Sequence, residues 1–372
     1  MSKFGALTRT TGIALALVTT GVLGAGTAVA QQKTVNVYNW SDYVAEEKLA
    51  EFTKETGIKI NYDVFDSQPL LESKLTTGKS GYDVVVPTAQ PYMARQIKAG
   101  VYQKLDKSKL KNLGNADPEI LKAISDADPG NEYAIPWMWG TNGIGYNVEK
   151  VKSIMPDAPV YSLKLLFDPE IVSKFKACGV TLLDEPVDMI AAGLFYLGKN
   201  PDSKTIADLE AATDLFMKIR PSIKKFHSSE YINGLANGDI CIAYGYSGDV
   251  IQASARAEEA KRKFQVTYSI PTEGTQVWVD SWAIPADSKN TDAAYAFLDY
   301  MLRPEVAAAS ANYVGYASGN KAATPLLDEA LRGNPAVYPP AEVRAKFYTV
   351  TPADRDFERA RTRAWTRIKT GR

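Results

Sequence analysis

Three short stretches set carboxylates beside aromatic rings. Trp40, Asp42 and Tyr43 share one segment, Tyr246 and Asp249 a second, and Trp278 and Asp280 a third. Two residues apart on a strand, Trp278 and Asp280 would project to one face. Ring faces attract ammonium groups and cover methylenes, while carboxylates make charge-assisted hydrogen bonds to ammonium ends. The combination suits a flexible organic cation. Each piece also has a structural alternative. Asp249 and Asp42 can cap the helices that begin near them. Glu185 and Asp188 flank Pro186, a residue that often opens a helix. Trp40 can be a core residue, and Trp278 with Asp280 an ordinary strand face.

Other chemistry has little to work with. The chain of 372 residues has one histidine, His227, in the polar run Lys224–Ser229, which reads as surface. A Ser-His-Asp or Cys-His site would have to use that residue, and a cage of several imidazoles around a metal is impossible. No HExxH, P-loop or GxSxG motif occurs, so neither a catalytic residue nor a metal ligand nor a cofactor is assigned. Gly140, Gly143 and Gly145 do not form a dinucleotide fingerprint and read instead as room for close backbone approach. A ferric-iron site would favour adjacent tyrosines, and the chain has none.

Export is legible at the N-terminus. Lys3 and Arg9 precede an uncharged stretch from Thr11 to Gly26, and Ala28-Val29-Ala30 is a small-x-small cleavage site. This is the pattern of a secretory signal peptide over residues 1–30, with an apolar run too short to span a membrane well. A mature, exported chain from Gln31 would carry 41 basic and 43 acidic residues, because Lys3 and Arg9 leave with the signal. That balance gives no reason to expect nucleic acid as a partner. Two cysteines, Cys178 and Cys241, suggest a disulfide in an exported protein, with two buried free thiols as the alternative.

The elements that would position these residues alternate between strand and helix. Thr34–Tyr38 reads as a strand, and Ala45, Leu49 and Phe52 as one face of a helix that Gly57 ends. The alternation Ile58, Ile60, Tyr62, Val64 predicts a second strand, Leu70–Leu75 a second helix, and Asp83–Pro87 a strand buried on both faces. This order implies an α/β fold with a parallel sheet, in which ligands sit beyond the carboxyl ends of strands. The loops Asn39–Tyr43 and Pro87–Gln90 would then meet at one site. Tyr133–Asn147 and Phe264–Pro285 read as two crossings between lobes. The expected division is 31–138 with about 276–305 in lobe 1, and 139–275 with about 306–372 in lobe 2.

Longer words carry a resemblance. VNVYNWSDYVA (35–45), NYDVFDS (61–67), GIGYNVEKV (143–151), FHSSEYINGLANGDICIA (226–243), NKAATPL (320–326) and RTRAWTRIK (361–369) resemble the periplasmic spermidine/putrescine-binding proteins of ABC importers, the putrescine-binding type most. The resemblance runs from about Val35 to the C-terminus. It implies a two-lobed, hinged periplasmic binding fold (type II) that closes on its ligand and docks on permease subunits in the inner membrane. It also implies a disulfide between Cys178 and Cys241.

Carried over by position, the site would comprise Trp40, Ser41, Asp42, Tyr43, Thr88, Asp188, Tyr246, Asp249, Trp278, Asp280 and Tyr316. Thr88 stands where the family usually has Ser, Asp188 where the putrescine type has Glu, and Tyr246 where Trp is usual. Trp278, an acid at Glu185 and an apolar Val350 give a mixed pattern, so the resemblance implies a polyamine more firmly than one particular polyamine. Glu185 joins the candidate site as the extra acid a triamine would need. The expectation is a monomeric, non-enzymatic binding protein for putrescine or spermidine. Agmatine or cadaverine, or a polyamine-sensing role, remain alternatives.

Overall fold

A computed structural model describes residues 33–372; the signal peptide expected over residues 1–30 lies outside the described residues. The first strand, β1 (Thr34–Trp40), pairs in parallel with β2 (Lys59–Phe65) and with β3 (Val84–Val85). The helix Glu46–Thr56 joins β1 to β2 and buries Phe52. It ends where Gly57 turns left-handed at φ 70° and donates its N–H to the Thr53 carbonyl, as an αL C-cap requires. Val84, Val85 and Val86 are fully buried. Val84 and Val86 enter one apolar cluster with Val35 and Val37, while Val85 enters another with Tyr38, Leu71 and Met93. Both faces of this short parallel sheet are therefore covered.

β2 departs from its pattern. Alternation predicts Ile60, Tyr62 and Val64 on one buried face, yet Val64 is 52 % exposed. β2 is the outermost strand of the sheet, and its face is only partly covered, with Ile60 and Tyr62 half-buried and Val64 left open.

The two predicted crossings are strands. β4 (Ala134–Asn147) and β9 (Thr275–Ala283) pair antiparallel from Ala134–Ala283 to Thr141–Val277. The second half of β4 then pairs with β7 (Ile242–Tyr246) and β8 (Val266–Ser269), while β5 (Val180–Leu182) lies parallel between β7 and β6 (Lys225–Phe226). The strand order is β2-β1-β3-β9-β4-β7-β5-β6. β4 thus passes from a core holding Val35, Trp137, Trp282 and Phe297 to one holding Ile144, Leu182, Phe216 and Tyr244. Two lobes with separate cores joined by extended strands are the result. Residues Val306, Val314 and Val337 pack in the first core, whereas Phe357, Trp365 and Ile368 of the C-terminal helix Arg355–Thr370 pack in the second.

The glycines of β4 permit the close approach expected of them. A Cβ at Gly143 would fall 2.5 Å from the Tyr268 ring, and one at Gly140 would fall 2.7 Å from the Trp278 ring. Cys178 and Cys241 form a disulfide with Cα atoms 5.6 Å apart. Among the described residues, no helix is long and apolar enough to cross a membrane.

Candidate ligand-binding cleft

Strand ends from both lobes converge on one cavity. The turn after β1 brings Trp40, Ser41 and Tyr43, and the loop after β3 brings Thr88, Gln90 and Tyr92. The start of the helix Pro186–Tyr196 brings Glu185 and Asp188, and the junction of β7 with the helix Ser247–Glu259 brings Tyr246 and Asp249. β9 adds Gln276, Trp278 and Asp280, whose spacing of two keeps them on one face. Tyr316 closes the set. The space between them is about 580 Å³, open mouth included. Its lining contains five acids (Asp66, Glu185, Asp188, Asp249 and Asp280) and no Lys, Arg or His.

Rings form a continuous sleeve. Trp40 meets Phe65 at 4.7 Å and Tyr246 at 6.2 Å. Tyr246 meets Trp278 at 5.6 Å, Trp278 meets Tyr316 at 5.2 Å, and Tyr316 meets Tyr43 at 5.4 Å between centroids. All but the first are edge-to-face, a favoured aromatic geometry. The Trp278 indole donates to Asn142 Oδ1 at 3.0 Å, which fixes its plane.

The carboxylates are held by neutral donors. Asp280 accepts from Tyr43 Oη at 2.9 Å and Thr88 Oγ1 at 2.6 Å. Asp249 accepts from Tyr231 Oη at 2.7 Å and Tyr316 Oη at 2.5 Å. Asp188 accepts from Gln276 Nε2 at 2.8 Å and Tyr246 Oη at 3.4 Å. Glu185 accepts from the Tyr92 hydroxyl and from the Gln68 backbone N–H at 3.2 Å, both on the opposite lobe. Burial is the largest influence on each acid and disfavours its charged form. It raises Asp280 to about 7 and both Asp188 and Asp249 to about 6, against the donors that pull each back down. Glu185 is raised well above the usual carboxylate range, by burial first and then by Asp188.

The capping alternatives separate cleanly. Tyr246, not Asp249, occupies the N-cap of its helix, and the Asp249 carboxylate turns to two tyrosines instead. Glu185 does stand at the N-cap of its helix, but its side chain makes no cap hydrogen bond. Eleven of the twelve expected site residues line the cavity. Asp42 does not. It sits at a left-handed φ of 54°, and its carboxylate accepts from Arg256 Nη2 at 2.8 Å at the rim. Nor does it cap the first helix, whose N-cap is Ala45.

Sequence reasoning missed Phe65, Asp66, Gln68, Tyr92, Ser228, Ser229 and Gln276, which also line the cavity. Gln276 was within reach, since it continues the two-residue period of Trp278 and Asp280. The pair Ser228 and Ser229 had no such signal; beside them His227 accepts through Nδ1 from the backbone N–H groups of Ser229 and Glu230. Among the described residues, no group of three or more His, Cys, Asp or Glu is arranged to hold a metal ion.

The model of a bacterial extracellular solute-binding protein matches residues 47–338. The chain belongs to this family. It is 54 % identical over 349 residues to the putrescine-binding periplasmic protein PotF of Escherichia coli, covering 93 % of this chain and 94 % of that one. It is 52 % identical over 359 residues to the putrescine-binding periplasmic protein SpuD of Pseudomonas aeruginosa, covering 96 % and 98 %. Among solved structures, the spermidine/putrescine ABC transporter substrate-binding protein PotD of Streptococcus pneumoniae superposes with a TM-score of 0.71 at 31 % identity, covering 91 % of this chain and 99 % of that one. The type II two-lobed fold of this solute-binding protein follows from that likeness and from its own strand order.

Proposed function

We propose that this protein captures a polyamine, putrescine or spermidine, in the cleft between its lobes and delivers it to an ABC importer. One observation carries the reading: a cavity with five acids, no base and a sleeve of six rings. Such a lining suits a ligand with positive ends and an apolar middle, because each ammonium replaces the hydration it loses with carboxylate contacts while methylenes lie against ring faces. Identity of 52–54 % over nearly the whole chain to two putrescine-binding periplasmic proteins supports it.

The residues proposed to touch the ligand are the eleven expected ones that line the cavity, with Asp42 assigned to the rim. Export by a signal peptide cleaved after Ala30, residence in the periplasm as a monomer, and docking on permease subunits complete the reading. For the lobes, the packing of Val306, Val314 and Val337 in the first core supports carrying about 306–338 into lobe 1. That leaves the following segment, with its C-terminal helix, in lobe 2.

Calorimetry of the apo protein against putrescine, spermidine, cadaverine and agmatine tests the proposal. Binding of putrescine or spermidine more tightly than of the other two is the expected result. No binding of any of the four would refute it.

A further inference from the structure

Buried amides at one end of the cleft have no role in the reading so far. Gln276 is 2 % exposed and lines the cavity. Its Nε2 donates to Asp188 Oδ1 at 2.8 Å, which fixes which way the amide faces. Its Oε1 is shut off from solvent and has no protein partner. Gln68, on the other lobe and also 2 % exposed, lines the same cavity with both side-chain polar atoms unpartnered, while its backbone N–H reaches Glu185. Buried amide atoms without partners are costly and uncommon in folded proteins. Because these two amides line the cavity, a ligand held there would be in place to supply the missing partner.

The acceptors at this end can be counted. Each oxygen of Asp188 already takes one protein donor, from Gln276 and from Tyr246. Each oxygen of Glu185 likewise takes one, from Tyr92 and from the Gln68 backbone. Gln276 Oε1 takes none. A primary ammonium has three N–H donors in fixed tetrahedral directions. A carboxylate oxygen and an amide oxygen presented side by side can therefore share one nitrogen, the first supplying charge and the second a charge-free acceptor.

We infer that Gln276 is a positioning and specificity residue of the proposed polyamine site: its amide nitrogen holds the Asp188 carboxylate in place, and its amide oxygen accepts from the same terminal ammonium that Asp188 neutralises. The inference rests on the polyamine reading above. The amide serves Asp188 in a second way, because its hydrogen bond favours the charged carboxylate. The other groups felt around Asp188 are Glu185 on its own helix, Asp280 on β9, Tyr244 and Tyr246 on β7, Tyr348 on the short strand Phe347–Tyr348, and Arg361 on the C-terminal helix. Among these only Arg361 is cationic, and Glu358 already engages it at 2.5 Å. The donors Gln276, Asn142 and Tyr246, together with Arg361, therefore act against burial and hold Asp188 at about 6, so that it is ionised above that pH.

The test is putrescine titration by calorimetry at several pH values, with wild type, Gln276→Met and Gln276→Glu. Methionine keeps the length and removes both amide functions. Glutamate keeps the shape and an acceptor but removes the donor and adds a charge beside Asp188. Gln276→Met should weaken binding at pH 8 by about ten- to a hundredfold, the usual weight of hydrogen bonds to charged groups. Its affinity should also begin to fall at a higher pH than in wild type. Gln276→Glu should shift that fall further still. Melting of each apo variant checks that it is folded. Wild-type binding with both variants within threefold and an unchanged pH profile would overturn the inference alone. Failure of wild type to bind putrescine or spermidine would overturn the polyamine reading and this inference with it.

Discussion

Replacing Asp280 by Asn should separate binding from stability in opposite directions. Asp280 is 3 % exposed and held by two hydroxyls, Tyr43 Oη and Thr88 Oγ1. Both hydroxyls can accept as well as donate, so an isosteric amide fits without new strain. A bound ammonium facing that amide would lose its buried counter-charge. Removing one partner of a buried pair costs about 3–5 kcal/mol, which at 1.4 kcal/mol per decade is a loss of about a hundredfold or more in affinity. The apo protein should respond the other way. The folded pKa of Asp280 stands at about 7 against 3.8 for the free group. Folding therefore favours the protonated acid, and stability falls as pH rises from 3.8 through about 7. Above that window the cost is fully present, about three units at 1.36 kcal/mol each, or at most about 4 kcal/mol. Asparagine carries no such cost. At pH 8 apo Asp280→Asn should melt above wild type while binding putrescine far more weakly. Calorimetric titration and thermal melting at that pH give both readouts. Affinity within threefold of wild type, or a lower apo Tm, would refute the reasoning.

Binding should release protons near neutrality, because Asp280 at about 7 and Asp188 and Asp249 at about 6 must be ionised to face ammonium groups. Affinity should then fall between pH 8 and 5.5, and calorimetry in buffers of different ionisation enthalpy should show the proton count; an enthalpy independent of buffer speaks against it. Asp42→Ala, which removes an exposed pair with Arg256 at the rim, should weaken binding less than tenfold, as surface pairs contribute about 0–1 kcal/mol; a hundredfold loss would return Asp42 to the ligand site. Glu185→Ala should reduce spermidine affinity more than putrescine affinity, whereas equal losses would limit Glu185 to its contacts with Tyr92 and Gln68. The disulfide closes 63 residues of sequence, so Cys178→Ser with Cys241→Ser should cost about 4 kcal/mol by loop entropy, read as the shift in denaturant midpoint; an unchanged midpoint would show that the lobe's core alone holds it.

What was legible in the sequence was what repeats with a fixed period or sits at a chain-direction signal. The valines at 84–86 announced a strand with both faces buried, Gly57 a helix end, and Trp278 with Asp280 a shared face. The strand β4 was visible in its glycines and aromatic residues, and β8 and β9 in the strand-like runs Val266–Ile270 and Val277–Ile284. The illegible parts depend on which lobe a residue faces across the cleft. Nothing near Asp42 in sequence announces Arg256, which lies 214 positions away, and the backbone turn at Asp42 is what directs its carboxylate there. Tyr92 and Gln68 met Glu185 only once two lobes were folded and apposed. The capping alternative for Asp249 stayed open in the sequence for a related reason, since local spacing could not reveal the hydroxyls of Tyr231 and Tyr316.

The arrangement of the acids explains why such a cleft holds its ligand between two lobes rather than on one. Asp280, Thr88 and Tyr43 belong to the first lobe's strands and loops, whereas Asp188, Glu185 and Asp249 belong to segments of the second. Bringing them into one cavity buries several carboxylates, each of which burial pushes toward its neutral form. Without a cation, closure is opposed by desolvation and by mutual repulsion, offset only by protonation and neutral hydrogen bonds. With a dication or trication the same acids favour closure, because the ligand touches both lobes at once and its charge is unshielded by water. On the proposed reading, the differential affinity of the closed state for the cation would be what shifts the population. A cleft built from neutral acceptors alone would bind more weakly and would close almost as readily when empty. Small-angle scattering should accordingly show a smaller radius of gyration with putrescine at pH 8, and at pH 5 the apo protein should move part of the way toward the same value as its acids take up protons. An apo curve that is independent of pH would mean that the charge of these acids does not govern closure.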